Sequence, residues 1–214
     1  MSRIFLLVIF FLMSRGAFAQ EVIKICVNDP VPAGYVIIEA VPYPGAGCFN
    51  NRGYNIRLPA ENLQVCAGSP IPSPFTVTAV STSMASCANV PKYTLRSANA
   101  ATQICDVSPI PDPWIVTTIS TGTGCGTGAN RYTIALVGDL KKACNLVSPI
   151  PDPYVVIRHL TTTSCKGAVH LELKQVSNGI LACYGSPIPA EYVINEMPPS
   201  AVCSGARFAK LSIP

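Results

Sequence analysis

Histidine and charge are scarce in this chain. Two histidines among 214 residues, His159 and His170, leave little from which to build a catalytic triad or a histidine-based metal site. Charged side chains make up only 12% of the residues, and Lys141-Lys142 is the longest basic run. Nucleic acid and anionic membrane surfaces are therefore not expected as partners. No Cys-x-x-Cys pair occurs, which excludes a zinc ribbon and a thioredoxin-type redox site. Beyond residue 19 no apolar stretch approaches the roughly 18 residues that suggest a membrane helix, so no transmembrane segment is expected in the mature chain. No window combines a helical period with caps, and prolines interrupt most candidates.

Hydrophobicity is concentrated at the start. Met1-Ser2-Arg3 is followed by an unbroken apolar run of ten residues, Ile4 to Met13, and then by Ala17-Phe18-Ala19. This is the pattern of a secretory signal peptide cleaved after Ala19. Without Arg3 and Arg15 the fifteen basic residues become thirteen against eleven acidic, a net charge of +2. The expected address is secreted, periplasmic or cell-envelope. Ten cysteines, all beyond the leader, then read as five disulfides rather than metal ligands.

Those cysteines reveal a repeat. Cys26, Cys66, Cys105, Cys144 and Cys183 are spaced by 40, 39, 39 and 39 residues, and a second series follows at Cys48, Cys87, Cys125, Cys165 and Cys203. The reading is a signal peptide at 1–19 and five repeats, at 20–65, 66–104, 105–143, 144–182 and 183–214. Each repeat states one stretch, which in the third copy reads Cys-Asp-Val-Ser-Pro-Ile-Pro-Asp-Pro-Trp over residues 105–114. A β-branched run follows this proline elbow, then a Ser/Thr/Gly loop, then an alternating run such as Tyr132-Thr133-Ile134-Ala135-Leu136. β-branched runs bounded by Pro and Gly, and strict period-two alternation, both predict strands. The fold class is all-β, five disulfide-stapled units of about 39 residues with no significant helix, arranged as a linear array or a closed ring.

Two regular pairings use all ten cysteines. Each unit can close on itself, or each second cysteine can reach the next unit's first, with Cys26 and Cys203 closing a ring. Hairpin geometry favours the shifted scheme, whereas five complete units with nothing left over favour self-closure. Either way loops of about 20 residues restrict the unfolded chain by roughly 3 kcal/mol each. Units this small need the staples.

In the elbow, Ser69, Ser108, Ser148 and Ser186, with Asp29 in the first unit, stand before a proline. Their side chains are expected to support a turn locally, and the second proline to keep the chain extended. The aromatic ending each elbow is Tyr35, Phe75, Trp114, Tyr154 or Tyr192. It is either a core plug or one of a row of rings contacting a ligand or partner. A second aromatic series, Tyr54, Tyr93, Tyr132, His170 and Phe208, is expected to face inward.

Candidate chemistry is thin. His170 and Glu172 share a strand face and could form an acid–base pair or part of a metal site. Asp112 and Asp152 fill one turn slot in successive units, which suits solvation better than a glycosidase carboxylate pair. The glycines of 122–128 lack the lysine and helix of a phosphate loop. The expectation is no catalytic residue, no metal and no cofactor, and a non-enzymatic binding or structural surface for an unknown protein or carbohydrate. Its variable face would be the loops at 41–47, 81–86, 120–124, 161–164 and 198–202. The alternative is a multi-headed inhibitor of secreted proteases using Ile71, Ile110 and Ile150 as pocket residues.

Overall fold

The computed structural model describes residues 21–214 apart from Ala46, Ala101, Gly205 and Ala206. The signal peptide expected at 1–19 and its cleavage site fall outside the described residues. Among the described residues no helix is long and apolar enough to cross a membrane.

Five three-stranded antiparallel sheets follow one another along the chain. The first comprises β1 (Ile23–Cys26), β2 (Val36–Pro42) and β3 (Arg52–Arg57). The second comprises β4 (Gln64–Cys66), β5 (Phe75–Met84) and β6 (Val90–Ser97). The third has β7 (Gln103–Cys105), β8 (Trp114–Thr121) and β9 (Asn130–Leu136). The fourth has β10 (Lys142–Cys144), β11 (Tyr154–Thr161) and β12 (Val169–Gln175), and the fifth β13 (Leu181–Cys183), β14 (Val193–Glu196) and β15 (Phe208–Ser212). The only helical elements among the described residues are 3-10 turns at Phe49–Asn51 and Ala85–Cys87.

In every sheet the last strand lies in the middle, between the short strand ending at the first cysteine and the strand after the elbow. The alternation of that central strand explains its place. Ile56, Leu95, Ile134, Leu173 and Leu211 are all 0% exposed, with polar or half-exposed residues between them. Each disulfide closes its own unit: Cys26–Cys48, Cys66–Cys87, Cys105–Cys125, Cys144–Cys165 and Cys183–Cys203. The self-closed pairing holds, and Cys26 does not reach Cys203.

The elbow is two β-turns in succession. Asp29 and the serines at 69, 108 and 186 donate their N–H to the carbonyl of the cysteine three residues before. In the fourth unit the extra residue widens this turn, and the Ser148 N–H reaches Cys144 O across four residues. The second proline is the first residue of the next turn, its carbonyl accepting from the aromatic N–H, as Trp114 N–H does to Pro111 O at 2.8 Å. The chain therefore turns at the second proline and does not remain extended there.

The serine side chain works between units. Ser69 Oγ accepts from Ile37 N–H at 2.7 Å, Ser108 Oγ from Val77 at 2.8 Å, Ser148 Oγ from Val116 at 3.0 Å and Ser186 Oγ from Val156 at 2.8 Å. In each case the donor belongs to the edge strand of the preceding unit, immediately before a bulge. That N–H points off its sheet, and the hydroxyl supplies the partner a neighbouring strand would otherwise give. Each serine also donates to the carbonyl of the proline after it. Asp29, in the unit with no predecessor among the described residues, accepts instead from its own Cys26 N–H at 3.1 Å.

The core has the same overlapping construction. Ile37 and Ile56 of the first unit pack on the second unit's Cys66 and Cys87. Leu95 and Val77 pack on Cys105 and Cys125, and Ile134 and Val116 on Cys144 and Cys165. Leu171 and Leu173 pack on Cys183 and Cys203. Each disulfide from the second unit to the fifth is thus a wedge under the sheet of the preceding unit. No cluster joins the first unit to the fifth among the described residues, so the order is linear.

Replacing Ser108 by alanine tests this interlock. Ser108 is 8% exposed, and the substitution leaves Val77 N–H buried without an acceptor. The expected loss is about 1–3 kcal/mol in denaturant unfolding. An effect no larger than that of an exposed Ser→Ala change would remove the serine from the account.

Candidate functional surface

The elbow aromatics pack against the core to different depths. Trp114 is 9% exposed and packs with Ile104, Val116, Ile119 and Tyr132. Tyr35, Phe75, Tyr154 and Tyr192 are half-buried, each against the apolar cluster of its own unit. Their position follows from the turn that precedes them, which swings the ring back over the sheet. Ile71, Ile110 and Ile150 are also half-buried against those clusters.

The second aromatic series is out of register in two units. Cys66 pairs with Lys92 and Cys105 with Arg131, placing Tyr93 and Tyr132 one residue later. Cys144 pairs with His170 and Cys183 with Phe208. The true counterparts of the tyrosines are therefore Leu171 and Ala209, which are 8% and 2% exposed. A one-residue offset exchanges faces. His170 and Phe208 consequently turn toward the preceding unit, alongside Arg131, Lys92 and Gly53. At Gly53 a Cβ would lie 2.6 Å from Ile25 O and 2.8 Å from Tyr43 Cδ1, so the first unit admits no side chain there.

His170 is held in that seam. Its Nε2 donates to Thr117 O of the third unit at 3.1 Å and lies 3.4 Å from Ser164 Oγ. The imidazole and the sulfurs of Cys144 and Cys165 lie within 4.8 Å of one another. Both sulfurs are joined in the disulfide, which leaves the ring as one isolated nitrogen ligand. Glu172 is paired with Arg158 at 3.6 Å. His170 and Glu172 thus have separate partners. Asp112 and Asp152 are exposed at the second turns of successive elbows.

The hairpin loops before the second cysteines form the most regular surface. The carbonyl just before the second cysteine accepts from the preceding unit's edge strand: Gly124 O from Val80, Ser164 O from Ile119, Val202 O from His159, at 2.6 to 2.9 Å. The loops of the third, fourth and fifth units are thereby anchored at equivalent places on the unit before each. Their sequences differ, whereas the anchoring geometry repeats.

A polar groove of ≈490 Å³ opens between the second and third units. Thr78, Thr94, Arg96, Asn99, Gln103 and Arg131 contribute to its lining. Arg96 Nε donates to Asn62 Oδ1 at 2.9 Å, and Arg131 Nη1 to Thr123 O at 3.3 Å. The Arg131 stem lies across Gly122, where a Cβ would come within 2.4 Å of it. Hydroxyls, amides and guanidiniums suit a hydroxylated or anionic group better than an apolar one. Composition gave no hint of this groove, because its residues come from two units and meet only where those units stack.

Beside it, Tyr132 reports on the core. Burial, followed by the Asp106 carboxylate, raises its phenol above the ordinary value of 10.0. The unfolded chain releases that proton at lower pH than the folded one. The contribution to stability is therefore complete below about 10 and lost as pH rises through the folded value. Tyr132→Phe is expected to flatten the alkaline limb of the stability–pH curve, and an unchanged limb would contradict the assignment.

No protein-family model, curated protein or solved structure matches the chain.

Proposed function

We propose that this is an exported, non-enzymatic scaffold whose hairpin-loop flank, with the polar groove beside it, binds a protein or carbohydrate partner. One observation carries the reading. The residues stated in every unit, namely the disulfide, the elbow serine or aspartate and the aromatic, are used in holding units and their neighbours together. What varies from unit to unit is carried on the hairpin loops, three of which share one anchor on the unit before. Rigid scaffolds with variable loops are where recognition is usually placed. Five disulfides indicate an oxidising compartment, consistent with export behind the leader cleaved after Ala19.

The test is a glycan array and an array of secreted proteins, probed with the intact protein and with a variant whose loops at 81–83, 121–123 and 161–163 are Gly-Ser. Binding by the intact protein, lost in a variant of unchanged melting temperature, is the expected result. Binding indifferent to all three loops would overturn the proposal. So would turnover of hydrolase substrates that copurifies with the protein and survives the loop changes.

A further inference from the structure

Each internal interface has two halves. The forward half is an edge strand with an N–H pointing off the sheet. The rear half is the next unit's elbow and disulfide. The fifth unit presents a forward half on which no elbow is seated among the described residues.

The geometry of that half is preserved. Leu211 N–H donates to Ile180 O at 2.9 Å, away from β14. Ile194, its partner in register, therefore belongs to a non-bonded pair, and its N–H points outward. Val116 stands in the same relation to Ile134, whose N–H donates to Thr102 O, and there the outward N–H meets Ser148. All four residues of β14 are exposed, whereas β8 begins with three buried ones. Eight of the sixteen exposed large hydrophobics fall within 181–213, which makes this the most apolar open end. Tyr184, Ile188, Ile194 and Ala209 help line a hollow of ≈290 Å³ here.

The missing rear half is present on the first unit. Cys66, Cys105, Cys144 and Cys183 are 0–4% exposed beneath the sheets before them, whereas Cys26 is only half-buried. Asp29 occupies the serine position and is exposed, with one carboxylate oxygen on Cys26 N–H and the other available as an acceptor. Val31 stands where the other elbows have isoleucine.

We infer that the forward face of the fifth unit receives the Asp29-Pro30-Val31-Pro32 elbow of a second copy of this chain. Asp29 accepts the Ile194 N–H in the place serine holds internally, and the Cys26–Cys48 disulfide covers the hollow. The contact is heterologous, joining two different faces, so it adds copies one after another rather than stopping at a symmetric dimer. This goes beyond the loop-flank reading and leaves that flank free.

The experiment uses the full, disulfide-bonded chain. Sedimentation velocity from low-micromolar to submillimolar concentration is expected to show a graded series of oligomers. Amide exchange by NMR over the same range is expected to slow at Ile194 and at the non-proline residues of 29–35 together. Both Ile194→Glu and Asp29→Lys lie on exposed positions and are expected to weaken association at least about tenfold, a change of ~1.4 kcal/mol. A protein that stays monomeric throughout overturns the inference. A species that stops at two with protection confined to β14 also overturns it, because that is edge-to-edge pairing of two fifth units. Association unaffected by Asp29→Lys does the same.

Discussion

Replacing Cys105 and Cys125 together by alanine is expected to lower stability by about 3–5 kcal/mol, a large share of the roughly 5–15 kcal/mol typical of a folded protein. Two effects combine. The bridge closes a 20-residue separation and restricts the unfolded chain. Its sulfurs, 0% and 4% exposed, also fill the space beneath Val77 and Leu95 of the preceding unit. The third unit contacts neighbours on both sides, so its loosening weakens two interfaces. The outermost pair, Cys26→Ala with Cys48→Ala, removes a bridge of similar length that wedges under no preceding sheet among the described residues. Its cost is expected to be smaller, and equilibrium denaturation of the two variants measures the difference. Equal losses would mean that only loop closure matters and that the wedge contributes nothing.

The second large effect is Trp114→Ala, with an expected loss of about 3–5 kcal/mol. Trp114 is the only tryptophan, 9% exposed, and touches residues of its own sheet below the fourth unit's disulfide. Truncation opens a cavity whose walls are held by two disulfide-bonded units, so collapse is limited. Tyr192→Ala removes the equivalent ring from a unit with an exposed edge strand and should cost less. Urea or guanidinium titration reads both. A mild effect at Trp114 would return the elbow aromatics to the status of surface rings.

Much of this fold is legible in the sequence because the repeat states it five times. The cysteine period gives the unit, alternation gives the central strand, and Ile56, Leu95, Ile134, Leu173 and Leu211 follow as its buried face. The elbow serine is harder to read. Locally it satisfies the rules of turn chemistry, yet its hydroxyl is spent on a strand some 30 residues earlier in the chain. The available signal is the single exception: Asp29 replaces serine in the unit with no predecessor among the described residues.

The register of His170 and Phe208 was obscured by aromatic character, which does not define a face. In His170-Leu171-Glu172-Leu173 the two leucines repeat the spacing of Tyr132 and Ile134, and that alternation is the better guide. The polar groove is not legible at all, since Arg96 and Arg131 become neighbours only when two units stack.

Disulfide mapping by non-reducing proteolysis and mass spectrometry tests the central claim, that each unit is stapled to itself and wedged beneath its predecessor. The expected result is peptides joined through Cys66–Cys87, Cys105–Cys125 and Cys144–Cys165, with none bridging neighbouring units. Recovery of Cys87 joined to Cys105, or of Cys26 joined to Cys203, would contradict it.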